Sequence, residues 1–354
     1  MQTALAPPAT QDRVDRFDPS HMTQRCAGAG SSFQEEVPPP MTKQPTPVVP
    51  MATRDAGVSD TAFGHAGPFS EDGFFYKPVS TSQERLANET RMLELCTNGR
   101  QTNEPMSRFV PEYFGIVNRG QRRYIKLRDL LRDFSKPWLM DIKMGVRCYA
   151  EKELKNSKPR NDLYLRMVKM EGRMGREVLT PEERAAQAIT KLRWMTLRDS
   201  LSSTQTLGFR VDAVVTSSFH KTAFESELFM AREDADVMAA LRSFLPSRTA
   251  CVGCTPREMA CTLLIQLREL RQALMASKVF TETEFIGSSL FFAADTTGKV
   301  GVWMIDFNVT SACDTGLRHD IPWEAGNRED GYLIGLRNLE RLWELLISQD
   351  EHWQ

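Results

Sequence analysis

Apolar residues change their spacing several times along this chain, and each change predicts an element. "FGHAGPFSEDGFFYKPV" (63–79) alternates around a glycine-containing turn and predicts two short strands. "SQERLANETRMLELC" (82–96) places Leu86, Met92 and Leu93 at helical spacing. "FGIVNRGQRRYIKLRDLL" (114–131) reads as a hairpin turning at Asn118-Arg119-Gly120. "PWLMDIKMG" (137–145) predicts a buried strand, and "FIGSSLFFAADTTGKVGVWMIDF" (285–307) a hairpin of two apolar strands around Thr296-Thr297-Gly298. "TPEERAAQAITKLRWMTLRDSL" (180–201) predicts one helix opened by a capping box, with Thr180 at the N-cap, Pro181 next and Glu183 two residues further on. Leu333, Leu336, Leu339, Leu342 and Leu346 line one side of a core-packing helix over 329–349. Strand, helix and hairpin in that order suggest an N-terminal lobe built on an antiparallel sheet, followed by a more helical part.

The first 60 residues show no such periodicity. They hold nine of the nineteen prolines, including Pro38-Pro39-Pro40, and read as a disordered, proline-rich tail (1–60). The remaining chain is long enough for two lobes, with 41% hydrophobic and 26% charged residues overall. A net charge of −1 gives no overall basic field and argues against nucleic acid, so an anion site needs local clustering of Lys and Arg. Seven scattered cysteines, no signal peptide and no apolar run of membrane-spanning length point to a reducing, cytoplasmic setting, with the nucleus a second compartment. Cys251-x-x-Cys254 with Cys261 lacks a suitable fourth ligand for a structural zinc. "MATRDAGVSDTAF" (51–63) is neither strongly basic nor amphipathic, so a calmodulin-binding helix is not expected there.

Three features break the apolar pattern where chemistry would need them. Asp141 and Lys143 stand two positions apart in a buried strand, so both project to one face. Arg184, Lys191 and Arg198 recur every seven residues, nearly two helical turns, which would line three cations along one stripe. Asp306 closes the apolar strand "VWMID", where an unpaired carboxylate is costly, so it is either capped by backbone N–H groups or bound to a cation. Acid, base, cation row and second acid together suit phosphoryl transfer, which depends on positioning and on countering phosphate charge.

At these residues the chain resembles the inositol polyphosphate kinase family, whose signature P-x-x-x-D-x-K-x-G appears as Pro137, Asp141, Lys143 and Gly145. "SSTQTLGFR", "GSSLFF", "WMIDF" and "HDIPWEAGNREDGYL" look like further family segments in family order, from about Gly64 to Ile347. Within the family the chain is most similar to the inositol 1,4,5-trisphosphate 3-kinases, because "QAITKLRWMTLRDS" resembles their inositol-binding helices. The resemblance implies an α+β, protein-kinase-like two-lobed fold with an antiparallel-sheet N-lobe and a mixed C-lobe. The N-terminal nucleotide-binding lobe would span 61–135. The C-terminal catalytic lobe would span 136–354, with a helical inositol-phosphate-binding insertion at about 150–205.

It further implies ATP and Mg2+ as cofactors and inositol 1,4,5-trisphosphate as the acceptor. Lys77 would meet nucleotide phosphates, Arg128, Asp129 and Leu130 would form the adenine-holding hinge, and Ser289 and Asp306 would lie on the nucleotide–metal side, with Asp306 as the metal ligand. Asp141 would stand beside nucleotide and reacting hydroxyl, and Lys143 would contact substrate. Met167, Lys191, Trp194 and Arg198 would fall in the substrate pocket. Catalysis would rest on Asp141, Lys143 and Asp306. His65 and His319 read as structural residues.

Several positions depart from the family pattern. Asn308 and Val309 replace a glycine and a substrate-facing lysine, Val215 replaces a nucleotide-facing lysine, Pro68 a small polar residue and Trp194 a tyrosine. Lys221 or Arg193 could supply the missing charge. Two alternatives therefore stay open beside a trisphosphate 3-kinase: a broader inositol polyphosphate multikinase, and a catalytically weakened inositol-phosphate-binding module.

Overall fold

The computed structural model describes residues 67–216, 228, 230–349 and 353; the proline-rich segment, His65 and Lys221 lie outside them. Strands β1 (Phe69–Glu71) and β2 (Phe74–Pro78) turn on Asp72 and Gly73, both at positive φ (51° and 76°). That turn carries the twist a hairpin needs, and Asp-Gly suits it. Helix α1 (Gln83–Gly99) starts at Ser82, whose hydroxyl accepts the Arg85 N–H. Strands β3 (Tyr113–Arg119) and β4 (Arg122–Arg128) complete an antiparallel sheet ordered β1-β2-β4-β3. Its second hairpin turns on Gly120 and Gln121, while Asn118 and Arg119, expected in the turn, stay paired in the ladder.

A connector over 129–137 leads to a second antiparallel sheet, ordered β6-β5-β8-β9, with β5 (Trp138–Met144), β6 (Phe209–Val215), β8 (Ser289–Ala294) and β9 (Val300–Ile305). An inner strand covered on both faces explains the apolar run around Asp141 and Lys143. Opposite them the ladder slips: Asp141 pairs with Ala213 but Ile142 with Val211, leaving Asp212 as a bulged residue. Bulges redirect side chains and concentrate near active sites. β5 stops at Gly145, at φ 100°, where any Cβ would meet the Asp330 carbonyl oxygen at 2.8 Å. A short pair, β7 (Thr283–Glu284) with β10 (Ser311–Ala312), lies outside both sheets.

Helices α6 (Asp234–Phe244), α7 (Pro256–Met275) and α9 (Tyr332–Ser348) pack with the second sheet around Phe209, Phe244, Phe291, Phe292 and Trp343, all fully buried. Each such side chain contributes about 1.5–3 kcal/mol by leaving water. α7 is unanticipated in the sequence reading, although Thr255-Pro256 and Glu258 build the same capping box as Thr180-Pro181 and Glu183. The one-turn helix α8 (Lys278–Thr281) leads into β7.

Three of the remaining helices, α2 (Asn161–Met174), α3 (Pro181–Ala186) and α4 (Lys191–Leu201), form a layer of their own, while the one-turn α5 (Thr204–Leu207) rejoins the main core through Leu207. The single helix expected over 180–201 is two. The capping box stands as read, but Gln187 takes a left-handed conformation at φ 47° and Ile189 bridges to Arg160. Thr190 then caps a fresh helix by accepting the Arg193 N–H. The three-cation stripe is therefore broken: Arg184 stays on α3 and binds Glu171 at 3.0 Å.

Candidate active site

Five side chains from both sheets and α1 converge on one ion cluster. β5 presents Asp141 and Lys143, as the two-residue period requires. Immediately after β9 the chain turns through a positive φ of 64° at Asp306, a conformation that Asp tolerates better than most residues. That turn places Oδ2 of Asp306 3.0 Å from Lys143 Nζ and Oδ1 2.7 Å from Lys77 Nζ. Lys77, from β2, also binds Glu89 of α1 at 2.6 Å. Asp141 Oδ2 stands 3.9 Å from Lys143 Nζ, so both carboxylates flank one ammonium.

The two acids experience opposite fields. Burial opposes ionisation of Asp306, but Lys77 and Lys143 hold its carboxyl far below the usual carboxylate range. Burial dominates at Asp141, aided by Asp212 and Asp306 against the pull of Lys143, and pushes its pKa up to about 6. Its Oδ1 is buried, and neither it nor the Ser289 hydroxyl on neighbouring β8, which favours the ionised form of Asp141, makes a well-aligned hydrogen bond. Burial pulls against Lys77 and Lys143, yet the surrounding carboxylates raise both and keep them charged.

A second network ties this cluster to the helical layer. The bulged Asp212 accepts from Arg210 Nε at 2.9 Å and stands 3.7 Å from Arg198 of α4. Arg210 also approaches Asp199 at 3.8 Å, and Asp199 accepts the Cys148 N–H at 2.9 Å. Buried His319 faces the Asp330 carboxylate at 2.9 Å and the Phe280 carbonyl at 3.0 Å. Burial opposes its charged form, but Asp330, the Phe280 carbonyl and Glu329 together raise its pKa. Asp330 accepts the Phe285 and Tyr332 N–H groups, which fixes the loop packed against Gly145.

Beside the cluster opens a cleft of about 740 Å³. Its wall runs through Asn308–Ser311, just beyond Asp306, and across the first turns of α1, the segment 148–156, Lys191 and Met195. Lys191 pairs with Glu153 there, Lys152 with Glu84, and Arg328 with Glu284.

Of the expected site residues, Lys77, Asp141, Lys143, Ser289 and Asp306 come together, Lys191 lines the cleft, and Arg198 reaches the cluster through Asp212. Met167 and Trp194 are set back from the cleft lining. Met167 is wholly buried and Trp194 nearly so in the core of the helical layer, while Met195 lines the cleft instead. Arg128, Asp129 and Leu130 sit where β4 runs into the connector, away from the cleft lining. Arg128 stacks over Phe74 and Phe114 and pairs with Glu112, and Asp129 caps the Leu131 N–H. Arg193 does not replace a missing lysine, because it binds Glu183 at 2.8 Å and joins α4 to α3. Val215 packs into the main core.

Glu89, Arg210 and Asp212 are the members that sequence reading missed. Glu89 lies three residues from both Leu86 and Met92, on the apolar face of α1, where an acid signals a buried partner. Arg210-x-Asp212 repeats the charged two-residue spacing of Asp141-x-Lys143. Among the described residues no group of three or more His, Cys, Asp or Glu side chains could enclose a metal by itself. Mg2+ needs fewer, commonly one or two carboxylates with phosphate and water oxygens completing the shell. The buried Asp141 Oδ1 and the Asp306 carboxylate are hard oxygen donors of that kind.

The sequence over residues 124–344 matches the family model for inositol polyphosphate kinase. The chain belongs to that family. Similar members include inositol-trisphosphate 3-kinase C of Mus musculus, 38% identical over 292 residues, a match covering 78% of this chain and 38% of the mouse protein. Inositol-trisphosphate 3-kinase A of Homo sapiens is 38% identical over 282 residues, covering 78% of this chain and 56% of that protein. The chain thus spans well under two thirds of these relatives' length. A crystal structure of an inositol phosphate multikinase from S. cerevisiae, in complex with ADP and Mn2+, superposes with a TM-score of 0.51 at 17% identity, covering 77% of this chain and 99% of that one. The α+β, protein-kinase-like fold expected of an inositol polyphosphate kinase is therefore the fold this family member adopts. No helix among its described residues is long and apolar enough to cross a membrane.

Proposed function

We propose that the chain is an inositol 1,4,5-trisphosphate 3-kinase, moving the γ-phosphoryl group of ATP to the 3-hydroxyl to give inositol 1,3,4,5-tetrakisphosphate. The observation that carries this reading is the pair of carboxylates around Lys143, half-buried Asp306 held ionised and buried Asp141 raised to about 6. A group with a pKa near the working pH can take a proton during reaction. Asp141 accepts the proton of the attacking hydroxyl. Lys143 and Lys77 steady phosphate charge, and a strand lysine paired to a helix glutamate, as Lys77 is to Glu89, is how protein kinases place such a lysine. Asp306, with Asp141 and Ser289 beside it, would hold the divalent cation. That ion, when bound, neutralises charge shared between the β- and γ-phosphates.

Nucleotide binds to the first sheet and connector, roughly 61–135, with Arg128, Asp129 and Leu130 as the adenine hinge. The remainder, 136–354, carries the acceptor. Lys191 and Arg198 face its phosphates, and Met167 and Trp194 support that wall from within. The compartment proposed for this work is the cytoplasm, with the nucleus as the alternative. The relatives named inositol-trisphosphate 3-kinase favour this reading over a multikinase, while Val215, Asn308 and Val309 favour weaker binding than in those relatives.

The deciding experiment incubates purified protein with ATP, Mg2+ and a panel of inositol phosphates, and identifies products by chromatography. Inositol 1,3,4,5-tetrakisphosphate as the main product is expected. Comparable phosphorylation of several acceptors would make it a multikinase. Binding of inositol trisphosphate without turnover would make it a binding module.

A further inference from the structure

We propose that Arg85, on α1, is a phosphate-gripping residue for the polyanionic acceptor and sets how tightly that acceptor is held. This deepens the kinase reading and rests on it. The cleft wall is rich in cations, but most are already held: Lys152 by Glu84, Lys191 by Glu153 and Arg328 by Glu284. A phosphate that engages any of these must displace a carboxylate. Arg85 lines the same cleft, is exposed, and its guanidinium has no hydrogen bond or ion pair with a described residue. It is available without competition.

Its position follows from the register of α1. Residues 85, 88 and 89 are three and four apart and share a face of the helix. Glu89 on that face binds Lys77, which binds Asp306. Asn88 donates to the Asn308 carbonyl at 3.4 Å. Arg85 is one turn further along the same face, on the cleft lining shared with Val309 and Thr310. The helix that orients Lys77 therefore also carries a cation to the acceptor side, where the loop after Asp306 offers the apolar Val309 and the neutral Thr310. A guanidinium presents a planar fork of donors that matches two phosphate oxygens at once. Lys155, the other cleft cation with no partner among the described residues, sits on the exposed turn Glu151–Lys155 and has no such link to the cluster.

The test compares wild type, Arg85→Ala, Arg85→Lys and the double variant Arg85→Ala/Val309→Lys, by steady-state kinetics and by calorimetric binding of inositol 1,4,5-trisphosphate. Arg85→Ala should raise both KM and Kd for the inositol phosphate at least about tenfold, the effect of one charge-assisted hydrogen bond. It should leave kcat and the KM for ATP within about twofold, a split that general loosening of the helix would not give. Arg85→Lys should fall between, and Val309→Lys should recover part of the loss. An unchanged Kd for inositol trisphosphate in Arg85→Ala overturns the proposal, as does a rise confined to the KM for ATP. Wild-type binding without turnover sinks the kinase reading alone, because the binding arm still decides Arg85. Wild type that neither binds nor turns over sinks both.

Discussion

The ion cluster and the wall of the cleft beside it hold their charges by different means. The cluster is built on strands. Asp141 on β5 is buried, and Lys143 on β5 and Asp306 just after β9 are half-buried around it. The wall is built on short helices and turns, where Lys191 and Lys152 remain partly or largely exposed and are held by carboxylates. Burial strengthens the effect of each charge in the cluster, so small changes there have large effects. Screening shrinks each effect on the wall, so changes there tune affinity.

The sharpest way to break this contrast is Asp141→Asn. Turnover should fall about 10²–10⁴-fold, the usual contribution of a general base. Stability should move the other way. A carboxyl whose folded pKa is raised from 3.8 to about 6 destabilises the folded state once pH exceeds its unfolded value, with the full penalty above about pH 6. Chemical denaturation at pH 7.5 should show the variant about 1–3 kcal/mol more stable than wild type. Equal or lower stability would mean that Asp141 is not strained by burial. In the wild type, kcat/KM should climb as pH rises through about 6, as Asp141 loses its proton.

Asp306→Asn should remove turnover by about 10³-fold and, unlike Asp141→Asn, destabilise the protein. Lys77 and Lys143 would each lose a carboxylate, although Glu89 and Asp141 remain beside them. Thermal unfolding with and without the substitution distinguishes the two acids. A middle-sized effect separates core from pocket: Met167→Ala should cost about 2–5 kcal/mol of stability by opening a cavity in the helical layer. A pocket-wall methionine would instead raise the acceptor KM at unchanged stability. The smallest effect belongs to the wall. Glu153→Gln releases Lys191 and should lower the acceptor KM about two- to fivefold, as a part-exposed pair permits; a higher KM would show that Glu153 positions Lys191 rather than competing for it.

The ion cluster was legible in the sequence for a physical reason. An acid and a base two residues apart in an apolar run cannot be ignored, since nothing else explains the cost of burying them. Asp306 was legible on the same ground. The wall was less so. Heptad spacing put Arg184, Lys191 and Arg198 on one helix, but the tendency of Thr190 to cap a new helix overrode the repeat. Trp194 and Met167 carry no mark that separates a core position from a pocket position, because both environments select large apolar side chains. The Asp212 bulge depends on the register between β5 and β6, a long-range property that neither strand reveals alone. Glu89 was readable in hindsight from its place on the apolar face of α1.

Lys77 belongs to one sheet and Asp306 directly follows a strand of the other, and their 2.7 Å contact rivets the two sheets together. A nucleotide phosphate that draws Lys77 toward itself must first undo that rivet. Arrival of the ligand and slackening of the joint between the sheets would then be a single event, and any agent that weakens the contact would ease both at once.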